Sequence, residues 1–218
     1  MRRIIIFMRV LVLGSTGRIG SLVLDAALSH GHEATVLVRD GGRVEQRNGL
    51  SVVVGDVRDE VALSAALQDV DAVIAALGPR SNTPADEDGL ALGMHNLVAA
   101  MVGGRVPRLV ALSGAGVDVP GDRKPLVDRI MSRVVRQFAR HVVGAKQREF
   151  ETFAASELEW TALRPPLVTD GSARGYRLGL SLQPGARVTR ADVAQALVDQ
   201  LVDRAFIRAA PFVLTARS

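Results

Sequence analysis

The chain has 218 residues, of which 48% are hydrophobic and 23% charged, a balance that excludes a disordered chain or a fibrous repeat. It has no cysteine, which excludes a disulfide scaffold, thiolate metal ligands and a cysteine nucleophile. The formal charge is +4 and only two of the 27 basic residues, Lys124 and Lys146, are lysines; with 4% aromatics to stack on bases, nucleic acid is a poor fit and the arginines read first as a dispersed, solvated surface.

No apolar run reaches the ~18 residues of a membrane span. The run at 4–7 is too short for a signal-peptide core, and Arg9 interrupts it. The expected location is therefore cytoplasmic. Short runs rich in Val, Leu and Ala at 10–13, 35–38, 52–54, 72–77, 109–112 and 160–163 predict strands apolar on both faces. Helical spacing falls between them at 19–29, 60–67, 86–101, 126–153 and 192–203, and a last strand is expected at 212–215. Gly31 suits a left-handed helix end, and Thr189 with Asp192 forms a capping pair. Alternating strands and helices predict one α/β domain with a doubly wound parallel sheet. Residues 1–7 are expected to be an appendage, with the domain running over 8–218.

The strongest motif is Val10-Leu11-Val12-Leu13-Gly14-Ser15-Thr16-Gly17-Arg18-Ile19-Gly20. A strand runs into three glycines spaced by two residues and then into a helix. Gly14 permits the tight turn, Gly17 lets backbone approach a pyrophosphate, and Gly20 lets the helix pack on the sheet. The N–H groups of that first helical turn face the phosphates. This pattern predicts the dinucleotide-binding turn of a Rossmann fold, the alternative being a merely structural strand–helix turn. At the end of the second strand stands Arg39 rather than a carboxylate, with Arg18 expected to point to the same region. Two arginines favour the 2′-phosphate of NADP(H), although an inward Asp40 would repel it and Arg39 is alternatively solvated. Asp56 is expected either to accept from the adenine amino group, with Val57 against the ring, or to cap the next helix. Leu77 and Gly78 offer bare backbone under a ribose.

With these residues, and with Leu112-Ser113 and Trp160-Thr161-Ala162-Leu163-Arg164-Pro165-Pro166, the chain resembles an atypical short-chain dehydrogenase/reductase. Within that class it is similar to the group of the biliverdin-IXβ (flavin) reductases and the NmrA-like proteins, over about residues 8 to 216. The resemblance implies that Leu112, Ser113 and the backbone from Pro165 lie beside the nicotinamide. It places Lys146 at the lysine of the superfamily's Tyr-x-x-x-Lys motif, so Ser113 and Lys146 are the candidate catalytic residues. It also exposes departures. Val142 stands at the tyrosine position, Leu167 replaces a histidine, and the one tyrosine, Tyr176, is expected in a glycine-rich loop. Ser113 alternatively caps the turn at 114–116, and Lys146 is alternatively solvated. His30, His32, His95 and His141 have no metal-ligand spacing and read as surface or capping residues.

A ketone reductase must protonate an alkoxide from a positioned acid, which Val142 cannot do. A conjugated acceptor takes its proton from solvent. The expectation is an NADPH-dependent oxidoreductase acting on a flavin, quinone or similar small molecule. Two alternatives stand beside it: a non-catalytic NADP(H) sensor of the NmrA-like kind, and a pathway-specific reductase or isomerase. Arg129, Arg133, Arg136 and Arg140 form a stripe beside the apolar face of Leu126, Ile130, Val134, Phe138 and Val142. Near the strand ends that stripe would suit an anionic acceptor. A monomer and a homodimer are both compatible with the sequence.

Overall fold

The computed structural model describes residues 6–122 and 140–216. Most of the arginine stripe and its apolar face, from Leu126 to Phe138, therefore lie outside the described residues. Strands β1 (Arg9–Leu13), β2 (Glu33–Val38), β3 (Leu50–Val54), β4 (Ala72–Ala75), β5 (Arg108–Leu112) and β6 (Glu159–Leu163) form one parallel sheet. Its order is β3-β2-β1-β4-β5-β6. Helices α1 (Gly20–Ser29), α2 (Glu60–Ala66), α3 (Pro84–Gly103), α4 (Arg140–Ala154) and α5 (Arg190–Asp199) cover both faces.

The residue pattern dictates this double cover. In β1, Leu11 and Leu13 join a core with Leu63 of α2, Leu97 of α3 and Phe153 of α4. Val10 and Val12 join the opposite core with Val23 of α1 and Leu197 of α5. A strand apolar on both faces can be satisfied only by a layer on each side. Phe150 and Phe153 meet Trp160 with ring centroids 5.6 and 5.5 Å apart, filling the α4 side.

Several expectations are corrected. Three short strands were not foreseen: β7 (Leu167–Thr169), β8 (Tyr176–Gly179) and β9 (Arg187–Thr189). The last strand, β10 (Phe212–Thr215), pairs antiparallel with β8, and one isolated bridge, Arg164 to Phe212, ties it to the end of β6. These strands have three or four residues and include arginines and glycine, so no alternation marks them. Tyr176 thus lies on a strand, and its hydroxyl donates to Asp199 at 2.5 Å. β4 stops at Ala75, two residues short of the expected end, although the Ala76 N–H still donates to the Leu13 carbonyl of β1 at 3.0 Å.

Among the described residues the arginine surface has two buried exceptions. Arg108 and Arg164 are 3% and 1% exposed. Arg108 donates to the carbonyls of Glu159 and Gln200 and to Thr161, and burial pulls its pKa down to about 10. Arg164 grips Asp122 with two bonds of 2.5 and 2.7 Å and lies 4.0 Å over the Phe212 ring. Backbone carbonyls and a carboxylate, invisible in composition, make those sites habitable. His32, which follows the left-handed turn at Gly31 (φ +81°), is likewise buried; burial lowers its pKa.

Candidate functional site

The sheet order reverses between β1 and β4, where a ligand crevice is expected. There the carboxyl ends of β1 to β4 and the start of α3 enclose a cleft of ≈ 490 Å³. The turn at Gly14, Ser15, Thr16 and Gly17 forms one wall. Arg39, Asp56 and Val57 line the end beyond β2 and β3, and Leu77 and Gly78 the floor. Ile19 packs half-buried against the α1 core and does not line the cleft.

The turn fits a pyrophosphate. Gly14 sits at φ +79°, and a Cβ there would fall 2.4 Å from the Ala76 carbonyl oxygen. A Cβ on Gly20 would fall 2.0 Å from the Gly14 carbonyl oxygen. The backbone therefore closes on itself in a way only glycine permits. Helices α2, α3 and α5 start under side-chain caps from Asp59, Thr83 and Thr189. α1 starts at Ile19 with no side-chain cap; the Ser21 N–H turns back to the Gly17 carbonyl at 2.9 Å, and no side chain stands between the rest of that first turn and an anion. The Ser15 hydroxyl is buried without a hydrogen-bond partner.

Beyond β2 and β3 the site is cationic. Arg39 is exposed in the cleft wall. Asp40 does not turn inward: its carboxylate accepts from the Gly42 N–H at 3.0 Å and caps the turn Gly41–Arg43. Sequence reasoning missed Arg58 and Arg80, which both line the cleft; Arg80 follows Gly78 and Pro79 directly and was legible only as a neighbour of bare backbone. Asp56 does not cap α2. That role belongs to Asp59, whose Oδ1 accepts from Val61 and Ala62 at 2.9 and 3.2 Å. Asp56 instead holds Arg58, whose hydrogen bond keeps its carboxyl below the usual carboxylate range.

Arg18 does not join Arg39. It is exposed, and its Nη2 donates to Asp170, after β7, at 3.4 Å. Asp170 also pairs with Arg190, so Arg18 engages a carboxylate beyond β7 and not the end of β2.

At the other end, β4 and β5 run side by side. Lys146 is not solvated. Its Nζ donates to the Leu77 carbonyl at 2.6 Å, the Leu112 carbonyl at 2.7 Å and Glu149 at 2.8 Å. All three ammonium protons are taken, and the side chains are 12% and 1% exposed. Burial pushes the Glu149 carboxyl up, against the pull of Lys146. Ser113 does not cap the turn at 114–116. Its hydroxyl is buried without a partner, while Val117 N–H closes that turn on the Gly114 carbonyl at 3.1 Å. Pro165 is buried alongside, and its carbonyl accepts from Ala115 at 3.3 Å. Among the described residues, no group of three or more His, Asp or Glu is placed to hold a metal ion, and no helix is long and apolar enough to cross a membrane.

Comparison with known proteins gives the family and the fold. A family model described as NAD(P)H-binding matches residues 14–204. Eugenol synthase 1 of Petunia hybrida is 36% identical over 80 residues, 32% of this chain and 26% of its own; the match thus spans about a quarter of that relative. A short-chain dehydrogenase/reductase from Veillonella parvula, solved in complex with NADP, superposes with a TM-score of 0.77 at 19% identity, over 94% of each chain. ChuY, an anaerobilin reductase from Escherichia coli O157:H7, gives 0.79 at 17% identity, over 96% of this chain and 98% of that one. These two superpositions establish the shared fold.

Proposed function

Because the chain belongs to the NAD(P)H-binding family, a reductase-type family whose model spans residues 14–204, we propose that it is an NADPH-dependent reductase acting on a conjugated acceptor such as a flavin or quinone. The observation that carries the acceptor class is the lack of a solvent-reachable acid at the nicotinamide end among the described residues: Glu149, the carboxyl beside Lys146, is 1% exposed. Val142 stands where a phenol would be needed, Tyr176 is bound to Asp199 elsewhere, and every Lys146 proton is held by the chain itself.

When bound, the reduced nicotinamide supplies a hydride. The chain's residues do the rest. Gly14, Gly17 and the uncapped start of α1 receive the pyrophosphate. Arg39 selects the 2′-phosphate, with Asp40 held away by its own turn. Ser113 offers the one buried hydroxyl beside Leu112 that has no partner of its own, and it orients the ring or the acceptor. No side chain need give up a proton, since a conjugated acceptor is protonated from water.

The test is an acceptor panel with NADPH. Flavin mononucleotide and a soluble quinone should be reduced steadily, and simple ketones and aldehydes poorly. Fast ketone reduction that depends on a group titrating near neutrality would overturn the acceptor class. Tight NADPH binding without turnover on any acceptor would assign the sensor role instead.

A further inference from the structure

One cleft residue outside the expected set is held in a fixed plane. Arg58 follows the end of β3, and its Nε and Nη2 donate to the two carboxylate oxygens of Asp56 at 2.8 and 3.1 Å. The Arg58 backbone N–H donates to the same carboxylate at 3.0 Å. The remaining nitrogen, Nη1, reaches toward α3, where a Cβ on Gly89 would lie 4.0 Å from it. The guanidinium therefore lies between the end of β3 and α3, with Val57 and Leu90 in the same cleft wall.

This arrangement has two chemical consequences. The side-on fork with Asp56 compensates the charge of Arg58, which makes it a poor phosphate ligand. It also fixes the plane of a delocalised cation while leaving the side chain 54% exposed. A flat, weakly hydrated guanidinium is a stacking surface for an aromatic ring. Arg39, at the end of the adjacent strand β2, has no such carboxylate among the described residues and keeps its charge for an anion.

We propose that Arg58, locked by Asp56, is the platform on which the adenine ring of the cofactor stacks, while Arg39 alone carries the choice for the 2′-phosphate. The inference rests on the dinucleotide reading of the cleft and is independent of the acceptor. Arg58 acts on the base, so it governs affinity and not selectivity.

Calorimetry on the full chain with 5′-ADP and with adenosine 2′,5′-bisphosphate tests it without any turnover. Arg58→Ala should weaken both nucleotides by the same factor, about five- to tenfold, and leave their ratio unchanged. Arg58→Lys should behave like Arg58→Ala, because it keeps the charge and loses the plane. Arg39→Ala should weaken only the bisphosphate. Thermal unfolding near wild type would certify the Arg58 variants as folded. The proposal is overturned if Arg58→Lys binds like wild type, if Arg58→Ala changes the ratio, or if it leaves both affinities untouched. Wild-type protein that binds neither nucleotide overturns it as well. Failure of the reductase reading looks different: turnover is absent while these affinities hold.

Discussion

Arg39 and the Lys146–Glu149 pair decide most at the level of single residues. Among the described residues no carboxylate pairs with Arg39, and Asp40 instead accepts from the Gly42 N–H. A charge-assisted clamp on a 2′-phosphate is worth at least ~2 kcal/mol, so Arg39→Ala should weaken NADPH binding more than tenfold and leave NADH nearly unchanged in calorimetry. Equal losses for both would remove Arg39 from the phosphate site. The buried pair behaves differently. Breaking one partner of such a pair costs about 3–5 kcal/mol, whereas an apolar replacement of both is often neutral. Lys146→Met and Glu149→Leu should each destabilise strongly in urea unfolding, and the double variant should cost less than either. Burial raises the Glu149 pKa above its ordinary value of 4.5. The folded state then holds a proton that the unfolded state has lost, so this contribution falls as pH rises from 4.5 through the folded value. Lys146→Met removes the opposing cation and should therefore have a higher urea midpoint at pH 5 than at pH 7.5. The sequence placed this lysine correctly on a helix, but its partners could not be read there. Two are backbone carbonyls, of Leu77 and Leu112, 69 and 34 residues away in the chain, and carbonyls carry no residue-type signal.

The glycine turn shows what an element can declare through its own sequence. Its spacing, the strand before it and the helix after it are all local, and all three were legible. So were the left-handed end at Gly31 and the Thr189–Asp192 cap, where the Asp192 N–H donates to the Thr189 hydroxyl at 3.1 Å. Elements set by distant partners were not legible: β7 and β8 exist because β9 and β10 come to meet them. The turn also separates binding from folding. A Cβ on Gly17 would lie 3.2 Å from the Gly14 carbonyl, a tight contact that small shifts relieve, whereas one on Gly20 would collide at 2.0 Å. Gly17→Val should abolish NADPH binding with a thermal midpoint close to wild type. Gly20→Ala should lower stability itself, by about 2 kcal/mol or more. A Gly17→Val protein that still bound NADPH would remove the turn from the site.

For the molecule as a whole, double-sided strands were enough to give the fold class, because a run such as 10–13 leaves neither face for water. The cofactor end of the cleft followed from motifs at the ends of consecutive strands. Arg18 was misplaced because its position is set by Asp170, 152 residues away in the chain, and Arg58 was overlooked because its role depends on the plane Asp56 gives it. Both errors have one cause: side-chain direction is decided by neighbours that the chain brings together only on folding.

The ammonium of Lys146 that ties Leu77 to Leu112 also makes a built-in reporter. An amine with every proton engaged and 12% of its side chain exposed is shielded from acylating reagents. Modification at Lys146 must wait for the ends of β4 and β5 to part, so its rate measures how often that floor opens. Labelling with an N-hydroxysuccinimide ester, followed by mass spectrometry of the peptide bearing Lys146, should be slow in the native protein. It should be slower still with NADPH, and fast in urea. Native labelling as rapid as in urea would show that the bonds to Leu77, Leu112 and Glu149 are not kept in solution.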